Sequence, residues 1–146
     1  MSIPPDELLI FETEHFTVGQ ARGYRLPGYL IVESKAEVER LDAFSPEATA
    51  DLWACLAEAE RIVRELVAPE RTYTLRFGEM VPRIHFHVIP RTARVGEAYA
   101  REVDDAPPYS GARLVDWLWN HHASLAYSDD ELRAFVSAAR ERSAKR

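Results

Sequence analysis

The sequence predicts an α+β fold: an antiparallel sheet with one long central helix packed on a face, followed by a helical C-terminal tail. Three observations point there. Short β-rich runs crowd the first third of the chain, an apolar stripe at helical spacing follows Ser45, and a Ser-x-x-Glu box opens another amphipathic run at Ser128. Strands grouped apart from helices belong to an α+β architecture rather than to alternating βα units.

Four early segments read as strands: Leu8–Glu12, His15–Gly19, Ala21–Leu26 and Tyr29–Glu33. Thr13-Glu14, Gln20 and Pro27-Gly28 separate them, and this tight spacing suggests hairpins or a meander. Ser45-Pro46 then starts the long helix, with serine as the N-cap and proline at the first helical position. Leu52, Leu56, Ala59, Val63 and Leu66 recur at steps of four and three, Trp53 and Ile62 widen the stripe, and Pro69 ends it. Thr72–Phe77 and Arg83–Ile89 read as two more strands, joined by Gly78-Glu79-Met80-Val81-Pro82. Ala93–Gly111, with Pro107-Pro108 and no clear period, reads as loop, and Leu114–His122 as a helix. The last helix starts at Ser128, where Ser128 and Glu131 form a capping box ahead of Leu132, Phe135, Val136 and Ala139, and the charged tail from Arg140 is expected to fray.

The chain has 146 residues, the size of one domain, and 1–146 reads as a single one. Eighteen Lys and Arg against 24 Asp and Glu give a net charge of −6. A nucleic acid polymer or an anionic membrane surface is therefore not an expected partner, because such binding needs an excess of cations. Cys55 is the sole cysteine, which excludes an internal disulfide framework and any multi-cysteine metal site. No apolar run is long enough to span a bilayer, and Met1-Ser2-Ile3-Pro4-Pro5-Asp6 lacks the features of a secretory signal. The expectation is a reduced, cytoplasmic protein.

Chemistry is concentrated in Arg83-Ile84-His85-Phe86-His87-Val88-Ile89-Pro90-Arg91. Alternate side chains of a strand share a face, so Arg83, His85 and His87 line up in steps of about 7 Å. Ile84, Phe86 and Val88 then face the long helix, leaving the polar set on the exposed side. Three readings stand on the residues alone. The histidines are surface residues of an exposed face, or a metal pair, for which no third ligand is obvious and Arg83 would repel the cation, or a nucleophile and proton donor beside a permanent cation.

The segment Phe77-Gly78-Glu79-Met80-Val81-Pro82-Arg83-Ile84-His85-Phe86-His87-Val88-Ile89-Pro90-Arg91 resembles the signature of the histidine triad (HIT) family, His-φ-His-φ-His-φ-φ with φ apolar. Arg25-Leu26-Pro27-Gly28-Tyr29-Leu30-Ile31-Val32 is similar to the family strand that leads into a Pro-Lys-x-His turn, and Leu41 to Trp53 to the start of its central helix. The match covers roughly residues 8–92, leaving 93–146 as a C-terminal extension. The resemblance implies a homodimer that hydrolyses or transfers nucleotidyl groups at a phosphate of a dinucleoside polyphosphate or nucleoside phosphoramidate. It makes His85 the nucleophile, which forms a nucleotidyl-histidine intermediate, and His87 a group that binds phosphate and stabilises developing charge. Arg83, Glu79, Met80 and Glu37 fall at substrate-binding positions. The core step needs no metal and no cofactor.

Three of those positions depart from the family pattern. Arg83 occupies the first triad position, where His or Gln is usual; Glu79 replaces the Asn after Gly78; and Glu37 stands where the upstream turn usually supplies a histidine. Opposite charges at positions the family holds close together predict that Arg83 pairs with Glu37. The rival functions are a nucleotide-binding protein with little turnover and a structural dimer module with a vestigial site. Elsewhere His15 reads as a surface residue, His121-His122 as helix-end residues, Trp117 and Trp119 as core or dimer contacts, and Cys55 as a small buried hydrophobe. Tyr24 and Phe11 lie on the early segments where the family builds its nucleoside pocket.

Overall fold

Burial with a period of two builds the sheet. In β2 (Phe16–Gln20) and β3 (Leu30–Ser34) every second residue is buried, and the two pair antiparallel from Phe16 opposite Ser34 to Gln20 opposite Leu30. β1 (Leu9–Glu12) pairs on the far side of β2 and follows a single helical turn, α1 (Pro5–Leu8). β4 (Arg71–Leu75) and β5 (His85–Arg91) complete a five-stranded antiparallel sheet in the order β1-β2-β3-β5-β4. The computed structural model describes residues 3–144.

Both faces of the sheet are covered. On one lies α2 (Pro46–Val67), whose Ser45 side chain accepts a hydrogen bond from the Ala48 N–H as the sequence predicts. Leu52, Cys55, Ala59, Ile62 and Val63 of this helix pack with Val18, Val32 and Val88 of the sheet. α5 (Asp129–Ala144) joins the same core through Leu132, Phe135, Val136 and Ala139. Its capping box is formed: the Glu131 N–H donates to Ser128 Oγ, and the Ser128 N–H to the Glu131 carboxylate. The opposite face carries α3 (Ala93–Glu102) and α4 (Gly111–His121), whose Val95, Tyr99, Leu114 and Leu118 pack with Tyr29 and Ile89.

Several expectations from sequence are corrected. Ala21–Leu26 is no strand. The buried Gln20 side chain donates to the Leu26 carbonyl and accepts the Gly28 N–H, folding 21–29 into the long loop of the β2–β3 hairpin. Gly28 closes that loop with φ +92°, and a Cβ there would stand 3.3 Å from Val67 Cγ2. Ala93–Gly111 is not all loop, because Thr92 caps α3 by accepting from the Val95 N–H and Val95, Ala98 and Tyr99 supply its buried stripe. Trp53 does not widen the α2 stripe; it is 75% exposed. The strand expected at Arg83 starts at His85, and α5 runs through Ala144, held where Arg140 donates to the Leu9 and Asp6 carbonyls. Lys145 and Arg146 lie outside the described residues.

Candidate active site

β5 divides its side chains as the alternation predicts. Phe86 and Val88 turn to the α2 core, while His85 and His87 share the other face with their cross-strand neighbours Glu33, Ile31 and Leu75. That face is not open beside the histidines. Trp119 of α4 lies over His87, with ring centroids 5.9 Å apart, and both histidines are half-buried.

The two imidazoles, 5.2 Å apart, are held in opposite ways. His85 Nδ1 is 2.9 Å from the Arg83 carbonyl oxygen. A carbonyl can only accept, so Nδ1 carries a proton, and in the neutral ring Nε2 keeps the lone pair. His87 Nδ1 is 2.6 Å from the Tyr29 hydroxyl, which in turn accepts from the Trp119 indole N–H at 2.9 Å. Burial, reinforced by His85 alongside, lowers the His87 pKa to about 4. His87 is therefore a neutral ring at physiological pH. Burial also raises the Tyr29 pKa, so its phenol stays protonated.

These rings border a cavity of about 390 Å³ walled by Tyr24, Phe77 and Trp119 and by the loop Gly78-Glu79-Met80-Val81. Gly78 turns that loop at φ +71°. Met80 is 95% exposed and Phe77 67%, so an apolar rim stands at the mouth. A larger apolar groove of about 580 Å³ adjoins it between β4 and α4 and shares Phe77 and Trp119. It contains neither histidine.

The structure thus brings four of the six sequence-derived site residues, His85, His87, Glu79 and Met80, around one cavity. Arg83 and Glu37 stand apart from that lining. The Arg83 guanidinium donates to the Glu37 carboxylate, the pairing expected from sequence. What Arg83 gives His85 is its backbone carbonyl. With its cation engaged elsewhere and Glu79 among the lining residues, the cavity is lined by two imidazoles and one carboxylate, without an arginine or lysine.

Among the described residues no group of three or more His, Cys, Asp or Glu side chains is placed to hold a metal ion. A lone pair at His85 Nε2 beside a neutral His87 suits nucleophilic attack on an electrophilic centre, followed by stabilisation of the oxygens around it. Nor is any helix among these residues long and apolar enough to cross a membrane.

Reading the sequence missed two contributors and left a third unassigned. Tyr29 sits one residue before β3 and carries no motif of its own, and Trp119 is some thirty residues beyond the histidines, read as a core or dimer contact. Its spacing from Val115 and Leu118, one helical face, is the available signal. Tyr24, left unassigned, lines the cavity and stacks on Tyr29 with centroids 4.9 Å apart. Phe11 packs instead against the α2 core. Trp117 is buried in the second core, while His122 accepts the Arg25 N–H and His121 stacks on Trp117, both outside the cavity lining.

The HIT domain family model matches residues 5–94. Solved structures with the same fold include a histidine triad protein from Bradyrhizobium japonicum, with TM-score 0.65, 19% identity, and 97% of this chain and 96% of that one covered. A histidine triad protein from Sinorhizobium meliloti gives TM-score 0.64 at 17% identity over 92% and 88% of the two chains. A hypothetical histidine triad nucleotide-binding protein from Sulfolobus tokodaii gives 0.62 at 13% over 94% and 84%. No curated protein matches the chain. With the histidine pair on β5, the antiparallel sheet under α2 and the family match over residues 5–94, the chain belongs to the HIT domain family.

Proposed function

We propose that the protein hydrolyses or transfers a nucleotidyl group, acting on a phosphate of a dinucleoside polyphosphate or nucleoside phosphoramidate. The observation that carries this reading is the Arg83 carbonyl on His85 Nδ1, which in the neutral ring leaves Nε2 as the nucleophilic nitrogen of a residue lining the cavity. In the first half-reaction the Nε2 lone pair forms a bond to phosphorus, the bond to the leaving group breaks, and the leaving group departs with its electron pair. Water, or an acceptor alcohol or amine, then attacks the nucleotidyl-His85 and restores the free imidazole. One hard displacement becomes two easier ones.

His87 acts as a neutral donor to a phosphoryl oxygen, where charge grows in the transition state. Tyr24, Phe77 and Trp119 supply ring faces for the nucleobase. The nucleotide-binding relative from Sulfolobus tokodaii and the family match support a nucleotide as ligand. The homodimer that family membership implies belongs to the same proposal, and sedimentation velocity tests it.

One observation favours a second reading, nucleotide binding with little turnover. Glu79 lines the cavity while the Arg83 cation is engaged by Glu37. A carboxylate about 4 Å from a phosphate opposes it by roughly 1–4 kcal/mol, depending on the local dielectric. Calorimetric titration with adenosine monophosphate, set beside turnover of diadenosine polyphosphate and adenosine phosphoramidate, separates the two. Binding with turnover that His85→Ala abolishes supports the enzyme; binding with no turnover supports the second reading.

A further inference from the structure

We infer that Trp119, in the C-terminal extension beyond the family match, fixes which nitrogen of His87 carries the proton, and that it acts through Tyr29. An indole N–H can only donate. At 2.9 Å from the Tyr29 oxygen it occupies an acceptor position there and leaves the phenol proton to be given away. Trp119 and His87 are the polar side chains in contact with that hydroxyl among the described residues, and Tyr29 is fully buried. The phenol proton therefore goes to His87 Nδ1, 2.6 Å away.

The alternative arrangement would have Tyr29 accept from both neighbours, with its own proton pointing into the core. An unsatisfied buried donor costs about 1–3 kcal/mol, so the chain of donors runs one way: Trp119 to Tyr29 to His87. His87 Nδ1 is thereby an acceptor, and its N–H lies at Nε2, the nitrogen left for the cavity. The neighbouring ring has the opposite tautomer, because the Arg83 carbonyl holds the proton at Nδ1 of His85. One imidazole offers the cavity a lone pair and the other an N–H.

Trp119 is thus a positioning residue. Its indole also packs on Tyr24 and Phe77, at centroid distances of 6.2 and 5.8 Å. The same ring therefore joins the proton relay to the cavity wall. The catalytic consequence rests on the nucleotidyl-transfer reading above; the tautomer itself does not.

The test uses the full chain labelled with ¹⁵N-histidine and two-bond ¹H–¹⁵N correlation spectra at neutral pH. Wild type is expected to show His85 as the Nδ1–H tautomer and His87 as Nε2–H. Trp119→Phe, and Trp119 replaced by benzothienylalanine, an isostere without the N–H, should leave His85 unchanged and turn His87 into a mixture of tautomers. Tyr29→Phe should do the same, and Tyr29→Phe combined with the isostere should resemble Tyr29→Phe alone, since the indole acts through the phenol. On a substrate that turns over, kcat should fall roughly three- to tenfold in the isostere, the worth of one neutral hydrogen bond, with KM nearly unchanged. A His87 spectrum unaltered by the isostere, or effects that add in the double variant, would overturn the relay. Loss of all turnover in wild type would overturn the functional reading and leave the spectra to decide the relay.

Discussion

The Arg83 carbonyl oxygen lies 2.9 Å from Nδ1 of His85, and this backbone contact holds a proton on that nitrogen. Arg83 serves the site with its main chain while its side chain turns away to Glu37. A residue at the first triad position that reads as a phosphate-binding cation is, in the fold, chiefly a fixed acceptor.

The guanidinium is accordingly expected to be dispensable. Arg83→Gln should change stability by less than about 1 kcal/mol, because its partner Glu37 has a side chain 82% exposed and such pairs contribute little. Turnover should fall by less than about tenfold, against complete loss in His85→Ala. Urea denaturation and steady-state kinetics on the pair of variants check both statements. A loss in Arg83→Gln comparable to that in His85→Ala would mean the cation reaches the substrate.

Glu79 is the opposite case, a carboxylate on the cavity wall. Glu79→Gln should tighten adenosine monophosphate binding by roughly three- to tenfold, with a larger gain at low ionic strength, where screening is weaker. Titration calorimetry at two salt concentrations measures it. Equal affinities in both proteins would place the bound phosphate out of reach of residue 79.

His87 should remain uncharged far below the ordinary histidine range. Burial and the neighbouring His85 hold its folded pKa at about 4, against about 6.5 unfolded. Between those values the unfolded chain binds the extra proton and the native state does not, so this group's contribution to stability is complete above about pH 6.5. It falls as the pH drops toward about 4 and changes no further below that. His122, lowered by burial and then by Arg25, acts with the same sign. An NMR titration of the His87 ring resolves the two; a midpoint near 6.5 for His87 would contradict the account.

Gln20 holds the loop that carries Tyr24 and Tyr29. Its amide donates to the Leu26 carbonyl at 2.8 Å and accepts the Gly28 N–H at 3.0 Å, all within the core. Gln20→Leu strands the Gly28 N–H, while the Leu26 carbonyl keeps the Tyr29 N–H at 3.0 Å, and should cost about 1–3 kcal/mol. Urea denaturation gives the value, and a loss below about 0.5 kcal/mol would show that other groups satisfy that backbone.

Several local rules are legible in the sequence. Ser45-Pro46, the Ser128–Glu131 box and the alternation along β5 each depend on neighbours within a turn or a strand step, and each forms as read. The misreadings have a different cause. Ala21–Leu26 has strand-like residues, but a buried glutamine one position upstream diverts its backbone into a loop, a pairing set by tertiary burial. In α3, Gly96 and three alanines weaken the apolar period, and the helix gains its place by packing Val95 and Tyr99 in the second core. The site divides likewise: His85 and His87 belong to a motif, whereas Tyr29 and Trp119 are joined by a contact across 90 positions that no spacing rule encodes.

Intact-protein mass spectrometry during turnover reads the proposed nucleotidyl-His85 itself. Wild type, His85→Ala and His85→Gly are mixed with diadenosine polyphosphate or adenosine phosphoramidate, quenched over a time course, and weighed while product is followed in the same samples. The expected result is a transient adduct of one adenosine monophosphate in wild type, mapped to His85, absent from both variants and decaying as product appears. Product formation with no adduct, or an adduct that persists in the variants, would contradict it.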